Sequence, residues 1–242
     1  MTVKNQLTAS SFGPVDAVIF DMDGLLLDTE GIYTEVTQLI ADRFGATFDW
    51  SIKQNTIGLG ALELATYIVN ALQLPMSPEQ YLIERTPLMN ERFPLARGMP
   101  GAEALVRHLA ANGVPIAVGT SSSRHYFDLK TTQHRPWFAL FDTIVTADDP
   151  EVGAAKPAPD IFLVAARRLG VDPARCLVFE DSPFGVTAAK AAGMFAVAVP
   201  DPAMPQERYT HADARLTDLC AFRPEAWGLP ALPPELTSSA ST

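Results

Sequence analysis

Cysteine is nearly absent from this chain: Cys176 and Cys220 are the two, too few for a disulfide framework or a Cys/His metal site. Positive charge is also scarce, with 18 Lys and Arg against 28 Asp and Glu, a formal net charge of −10. That balance argues against binding a nucleic-acid polymer through its backbone. No apolar run is long enough to cross a bilayer, and the opening MTVKNQLTASSFGP lacks an apolar signal core. The expectation is a cytoplasmic protein with no membrane partner, a monomer or weak homodimer, with loose termini at 1–14 and 231–242. The remaining composition, 48% hydrophobic and 19% charged, excludes a disordered chain. At 242 residues it fits one sizeable domain, or a core carrying a small insertion.

What is present is concentrated in Val15 to Glu30, VDAVIFDMDGLLLDTE. A short apolar run bounded by turn residues reads as a buried strand with Asp21 at its carboxyl end. In open parallel sheets that edge is where ligands bind. Asp21 and Asp23 stand two residues apart, so both can face one small volume, and their repulsion must be offset by a cation or a proton. A calcium-binding EF-hand loop is excluded, because Leu25 and Leu26 occupy positions that need an oxygen ligand and a glycine. Two readings stay open on this stretch alone: a polar turn, or a nucleophilic aspartate that holds Mg²⁺ for phosphoryl transfer.

Beyond Glu30 the periodicity turns helical. Ile32, Val36, Leu39, Ile40 and Phe44 recur at helical spacing, and Leu62 to Leu72 repeats the pattern. Ser77, Pro78 and Gln80 form a capping box that opens a third helix, running to about Phe93. No strand interrupts, so Gly31–Leu95 is expected to be an all-helical insertion. Helices and strands then alternate: helix Gly101–Asn112, strand Pro115–Gly119, helix around Tyr126–His134, strand Thr143–Thr146. Helix Asp160–Leu169, strand Cys176–Phe179, helix Pro183–Ala192 and strand Phe195–Val199 follow, then an irregular proline-rich end. This predicts an α/β fold with a doubly wound parallel sheet.

Three more strand ends carry polar residues. Thr120 and Ser121 leave an apolar strand toward a helix, a setting for phosphate oxygens or for an ordinary cap. Lys156 lies among prolines just before a helix, where its charge can neutralise a phosphoryl group. Glu180 and Asp181 follow the fourth strand and suit an oxygen-only site for Mg²⁺, or Asp181 is simply a helix cap before Pro183. Each is weak alone. Four such elements at successive ends of one sheet are strong.

In this order the D-x-D, the strand-end threonine, the lysine and the acidic pair resemble the motifs of the haloacid dehalogenase superfamily. The resemblance runs from about Val15 to Pro230. It implies a Rossmann-like core, 15–30 and 96–230, and a small helical cap, 31–95, closing on hinges near Thr29–Gly31 and Phe93–Gly98. It also implies roles. Asp21 is the nucleophile and a Mg²⁺ ligand, and Asp23 is the general acid/base with its backbone carbonyl on the metal. Thr120, Ser121 and Lys156 bind the phosphoryl group, and Asp181 with Glu180 completes the metal site.

Ala61–Ser77, Asp148–Val152, Phe179–Val186 and Phe222–Pro230 resemble the pseudouridine-5′-phosphatase-like branch. That implies a Mg²⁺-dependent phosphatase for a small phosphomonoester, a nucleotide or sugar phosphate such as pseudouridine 5′-phosphate. The chain departs from these relatives at Gly58-Leu59-Gly60, where they often carry a basic residue. The alternative is a β-phosphoglucomutase-like phosphomutase, but Tyr33 and Gly60 stand near the histidine and lysine of that branch. Asp23 opposes the dehalogenase and phosphonatase branches, which lack it. A non-enzymatic phosphate-ester-binding subunit would be favoured by loss of the nucleophile or the lysine, and both are present. Tyr33, Trp50 and Tyr67 are candidates to stack on a base, though helix-core packing explains aromatics there as well.

Overall fold

The computed structural model describes residues 13–233; the expected loose ends at 1–12 and 234–242 lie outside the described residues. Six strands form one parallel sheet: β1 (Ala17–Phe20), β4 (Ile116–Gly119), β5 (Thr143–Val145), β6 (Cys176–Glu180), β7 (Phe195–Ala198) and β8 (Ala214–Arg215). Their order is β5-β4-β1-β6-β7-β8, which puts β1 in the centre. Alternation along β1 sends Val18 and Phe20 to one apolar cluster and Ala17 and Ile19 to the other. On the first face pack α5 (Ala102–Ala111), α6 (Arg124–Lys130) and α7 (Arg135–Phe138). The second face is covered by α8 (Asp160–Leu169) and α9 (Pro183–Ala191). Both faces are buried, which is why these strands read as continuous apolar runs.

Between β1 and α5 come α1 (Glu30–Asp42), α2 (Trp50–Lys53), α3 (Ala61–Ala71) and α4 (Pro78–Arg92). They enclose a core of their own around Val36, Ile40, Ile68, Tyr81, Met89 and Phe93. The capping box at Ser77 and Gln80 is formed as expected. A two-stranded antiparallel ribbon, β2 (Leu27–Asp28) with β3 (Arg97–Gly98), joins this helical unit to the sheet.

Several local expectations need correction. The helix expected around Tyr126–His134 starts at Arg124, capped by Ser123, and stops at Lys130, with α7 following as a separate turn. The irregular end carries β8, which pairs with β7, and short 3₁₀ turns. Leu232, expected to be loose, packs on the first apolar cluster. The cap of α9 is Ser182, whose hydroxyl accepts from Gly185 N–H, so Asp181 is left free for other work.

Candidate active site

The register fixes the site. Phe20 pairs with Val118 on one side and Phe179 on the other, so Asp21 emerges between the ends of β4 and β6. There its carboxylate joins those of Glu180 and Asp181, with one oxygen from each inside 4.8 Å of the others, and all three residues are buried. Lys156 Nζ donates to Asp21 Oδ1 at 2.6 Å, to Glu180 Oε1 at 2.6 Å and to the Gly119 carbonyl at 3.0 Å. Glu180 Oε2 accepts from Ser182 N–H and Oγ. Two glycines make the crowding tolerable. Gly24 has φ +75° and a side chain there would strike the Asp181 carboxylate, while one at Gly185 would land on Glu180.

Three carboxylates face one ammonium, and the electrostatics follow. Burial pushes Asp21 up to about 7 against the pull of Lys156, with Glu180 and Asp23 adding to the rise. Burial also raises Asp181 well above its usual range, with Glu180, Asp21 and Glu30 pushing the same way. Such a cluster needs a further positive charge to hold all its members ionised.

Asp23 points into a different environment. Its Oδ1 accepts from Lys130 Nζ and from Thr29 Oγ1 at 2.6 Å. Its Oδ2 accepts from Ser122 Oγ at 2.8 Å and Thr120 Oγ1 at 3.4 Å. Burial pushes Asp23 up, but the charge and hydrogen bond of Lys130, helped by Thr29 and Ser122, hold it below the ordinary carboxylate range.

Both aspartates open onto a cavity of about 540 Å³ between the sheet edge and the helical unit. Ser121, Lys156, Glu180 and Asp181 line it, whereas Thr120 lies beneath the wall with its hydroxyl engaged by Asp23 and Ser122 N–H. From the helical side come Tyr33 and Arg85. Trp50 instead packs beside the second sheet cluster, and the Tyr67 hydroxyl accepts from Asn55. His134 and His108 bond main-chain carbonyls of Ala96 and Pro230 and take no place on the wall.

The family model described as haloacid dehalogenase-like hydrolase matches residues 15–193, which span every cavity-lining group named above. The chain belongs to that family. This hydrolase is 50% identical over 216 residues to a Drosophila melanogaster protein named "Probable pseudouridine-5′-phosphatase", covering 88% of this chain and 94% of that one. It is 47% identical over 223 residues to "(DL)-glycerol-3-phosphatase 2" of Arabidopsis thaliana, covering 90% and 93%. Its fold matches a crystal structure of a hydrolase of the family from Deinococcus radiodurans with bound phosphate and sodium. The TM-score is 0.74 at 30% identity, over 91% of this chain and all (100%) of that one. The hydrolase thus sides with the phosphatases of its family. No helix among its described residues is long and apolar enough to cross a membrane.

Two residues of the site escaped the sequence reading. Lys130 falls outside the four motif elements, and Arg85 sits mid-helix in α4 with nothing in its spacing to mark it. The signal available for Lys130 was its place three residues after Phe127, on the buried side of α6.

Proposed function

We propose that this hydrolase is a Mg²⁺-dependent phosphatase acting on a small phosphomonoester through an aspartyl-phosphate on Asp21. The observation that carries this reading is the buried carboxylate trio set against Lys156 at the floor of the cavity. An all-oxygen, carboxylate-rich donor set with an excess of negative charge fits Mg²⁺. Asp21, Asp181 and the Asp23 carbonyl would hold it, with Glu180 binding directly or through water. Mg²⁺ when bound supplies charge neutralisation to the transferring phosphoryl oxygens.

The chain's own groups supply the rest. An Asp21 carboxylate oxygen attacks phosphorus, the ester P–O bond breaks, and the leaving oxygen takes a proton from the Asp23 carboxyl. A water then gives its proton to the Asp23 carboxylate as its oxygen attacks phosphorus; the P–O bond to Asp21 breaks and phosphate leaves. Lys130 holds Asp23 ionised without substrate, and the negative charge of an arriving phosphate favours its protonation. Lys156 and Ser121, which line the cavity, bind the phosphoryl oxygens, while the Thr120 hydroxyl, engaged by Asp23 and Ser122 N–H, supports the end of β4 from beneath the wall. We place this work in the cytoplasm, and the cap is the helical unit, 31–95.

Specificity lies on the helical side of the cavity. Arg85 is buried, joins no ion pair among the described residues, and its Nε has no hydrogen-bond partner. Its guanidinium stands 5.9 Å from the Tyr33 ring centre and 5.8 Å from that of Tyr81. An arginine so placed recognises an oxygen on the alcohol half of the substrate: a base carbonyl in pseudouridine 5′-phosphate, or a hydroxyl in glycerol 3-phosphate.

Phosphate release with Mg²⁺ or EDTA decides the reading. The esters are pseudouridine 5′-phosphate, uridine 5′-phosphate, glycerol 3-phosphate, a sugar 6-phosphate and β-glucose 1-phosphate. Mg²⁺-dependent hydrolysis led by one of the first three is expected, with Arg85→Met raising KM for that ester by about tenfold. Isomerisation of β-glucose 1-phosphate without phosphate release would overturn hydrolysis in favour of a mutase.

A further inference from the structure

Lys130 is fully buried, and its side chain ends where four separate parts of the chain meet. Its Nζ has three protons and three acceptors: Asp23 Oδ1, Ser122 Oγ at 2.7 Å and Tyr33 Oη at 2.9 Å. The ring centre of Phe93 lies 4.4 Å away. Asp23 belongs to the loop after β1 and Ser122 to the turn after β4. Tyr33 lies on the first helix of the helical unit, and Phe93 at the unit's exit. Ser122 completes a closed loop, accepting from Lys130 while donating to Asp23 Oδ2. Both carboxylate oxygens of Asp23 are therefore fixed, one by the ammonium and one through the hydroxyl it orients.

We propose that Lys130 is a positioning residue, which sets the Asp23 carboxylate for proton transfer and ties that setting to the helical unit through Tyr33. The proposal rests on the assignment of Asp23 as acid/base made above. Stability alone does not account for keeping this pair of charges, because replacing a buried ion pair as a whole by well-packed apolar residues is often neutral or stabilising. A direct role on substrate is also unsupported, since Lys130 is absent from the cavity wall. What the ammonium provides, and a methionine cannot, is direction: three bonds from one atom to three groups on separate elements.

The test compares two leaving groups, with saturating Mg²⁺. An alkyl phosphate, pseudouridine 5′-phosphate or glycerol 3-phosphate according to which the wild type cleaves faster, needs its leaving oxygen protonated. The phenolate of 4-nitrophenyl phosphate departs without a proton. Lys130→Met should lower kcat/KM for the alkyl ester about 100-fold and for the aryl ester less than about 10-fold. In an Asp23→Asn background the same change should add nothing. Tyr33→Phe should show the same selectivity at about threefold to tenfold, and decides the matter if Lys130→Met does not fold. Equal losses on both esters, or an added loss in the Asp23→Asn background, would overturn the proposal with hydrolysis itself intact. A wild type that cleaves neither ester would instead overturn the phosphatase reading, and this inference with it.

Discussion

Two lysine–aspartate pairs, one buried and one part-buried, stand at the ends of one D-x-D, and they behave oppositely. Around Asp21, three carboxylates cluster and the one ammonium, from Lys156, pairs with only two of them, Asp21 and Glu180, so Asp21 is driven up to about 7. Around Asp23, one ammonium from Lys130 serves one carboxylate, hydroxyls fill the remaining positions, and the aspartate is driven down. The Asp21 side chain is 7% exposed and that of Asp23 18%, a difference in burial that does not by itself reverse the direction. The ratio of charges does. The Asp21 side is incomplete and calls for an ion; the Asp23 side is already neutral and closed.

The comparison can be broken most sharply at Asp21. Asp21→Asn removes the proposed nucleophile while keeping its shape, so activity should fall about 10⁴-fold or more with the fold retained. Phosphate release and circular dichroism on the same sample check both halves, and substantial residual turnover rules out the covalent route. Asp181→Ala thins the carboxylate trio, and the Mg²⁺ concentration for half-maximal activity should rise about 10- to 100-fold. A Mg²⁺ titration of initial rates reads this, and an unmoved midpoint takes Asp181 out of the site.

The smallest effect concerns stability. Asp21 has a folded-state pKa above its unfolded value, so its contribution is full below about pH 4 and fades as pH rises through about 7. Asp181 shifts in the same direction. Mg²⁺ held as proposed by the ionised cluster should raise Tm by about 3–6 °C at pH 8 and by less at pH 5. Asp23 carries the opposite sign: its contribution is present above its unfolded value and lost only as pH falls through its depressed one. A Mg²⁺ effect larger at pH 5 than at pH 8 would contradict the charge count around Asp21.

The sheet and the motif order were legible because Asp21, Thr120 and Glu180-Asp181 each close or follow an apolar run that is fully buried. Asp21, Glu180 and Asp181 converge because the chain crosses over after β5 and β6 pairs in parallel with the central β1, the kind of reversal point at which α/β sheets place their sites. Lys130 and Arg85 were not legible, since a single basic residue on a helix is ordinarily solvated. Only the docking of α6 against Asp23, and of α4 beneath Tyr33, removes them from water. Trp50 and Tyr67 show the reverse: candidate base-stackers by type, both were claimed by packing or a local hydrogen bond. The β2–β3 ribbon is two residues on each side, too short for any periodicity to announce.

That ribbon has a consequence for how the protein can be rebuilt. The chain leaves the sheet unit at Leu27–Asp28 and returns at Arg97–Gly98, and the two passages are hydrogen-bonded to each other. Whatever lies between begins and ends at one point, as a domain spliced into a loop must. The helical unit is in that sense a cartridge: its four helices can be exchanged for those of a relative without altering the span the sheet has to bridge. The sockets that must travel with it include Tyr33 and Phe93 toward Lys130, Trp50 toward the second sheet cluster, and the Gln54 and Asn55 groups toward Arg208.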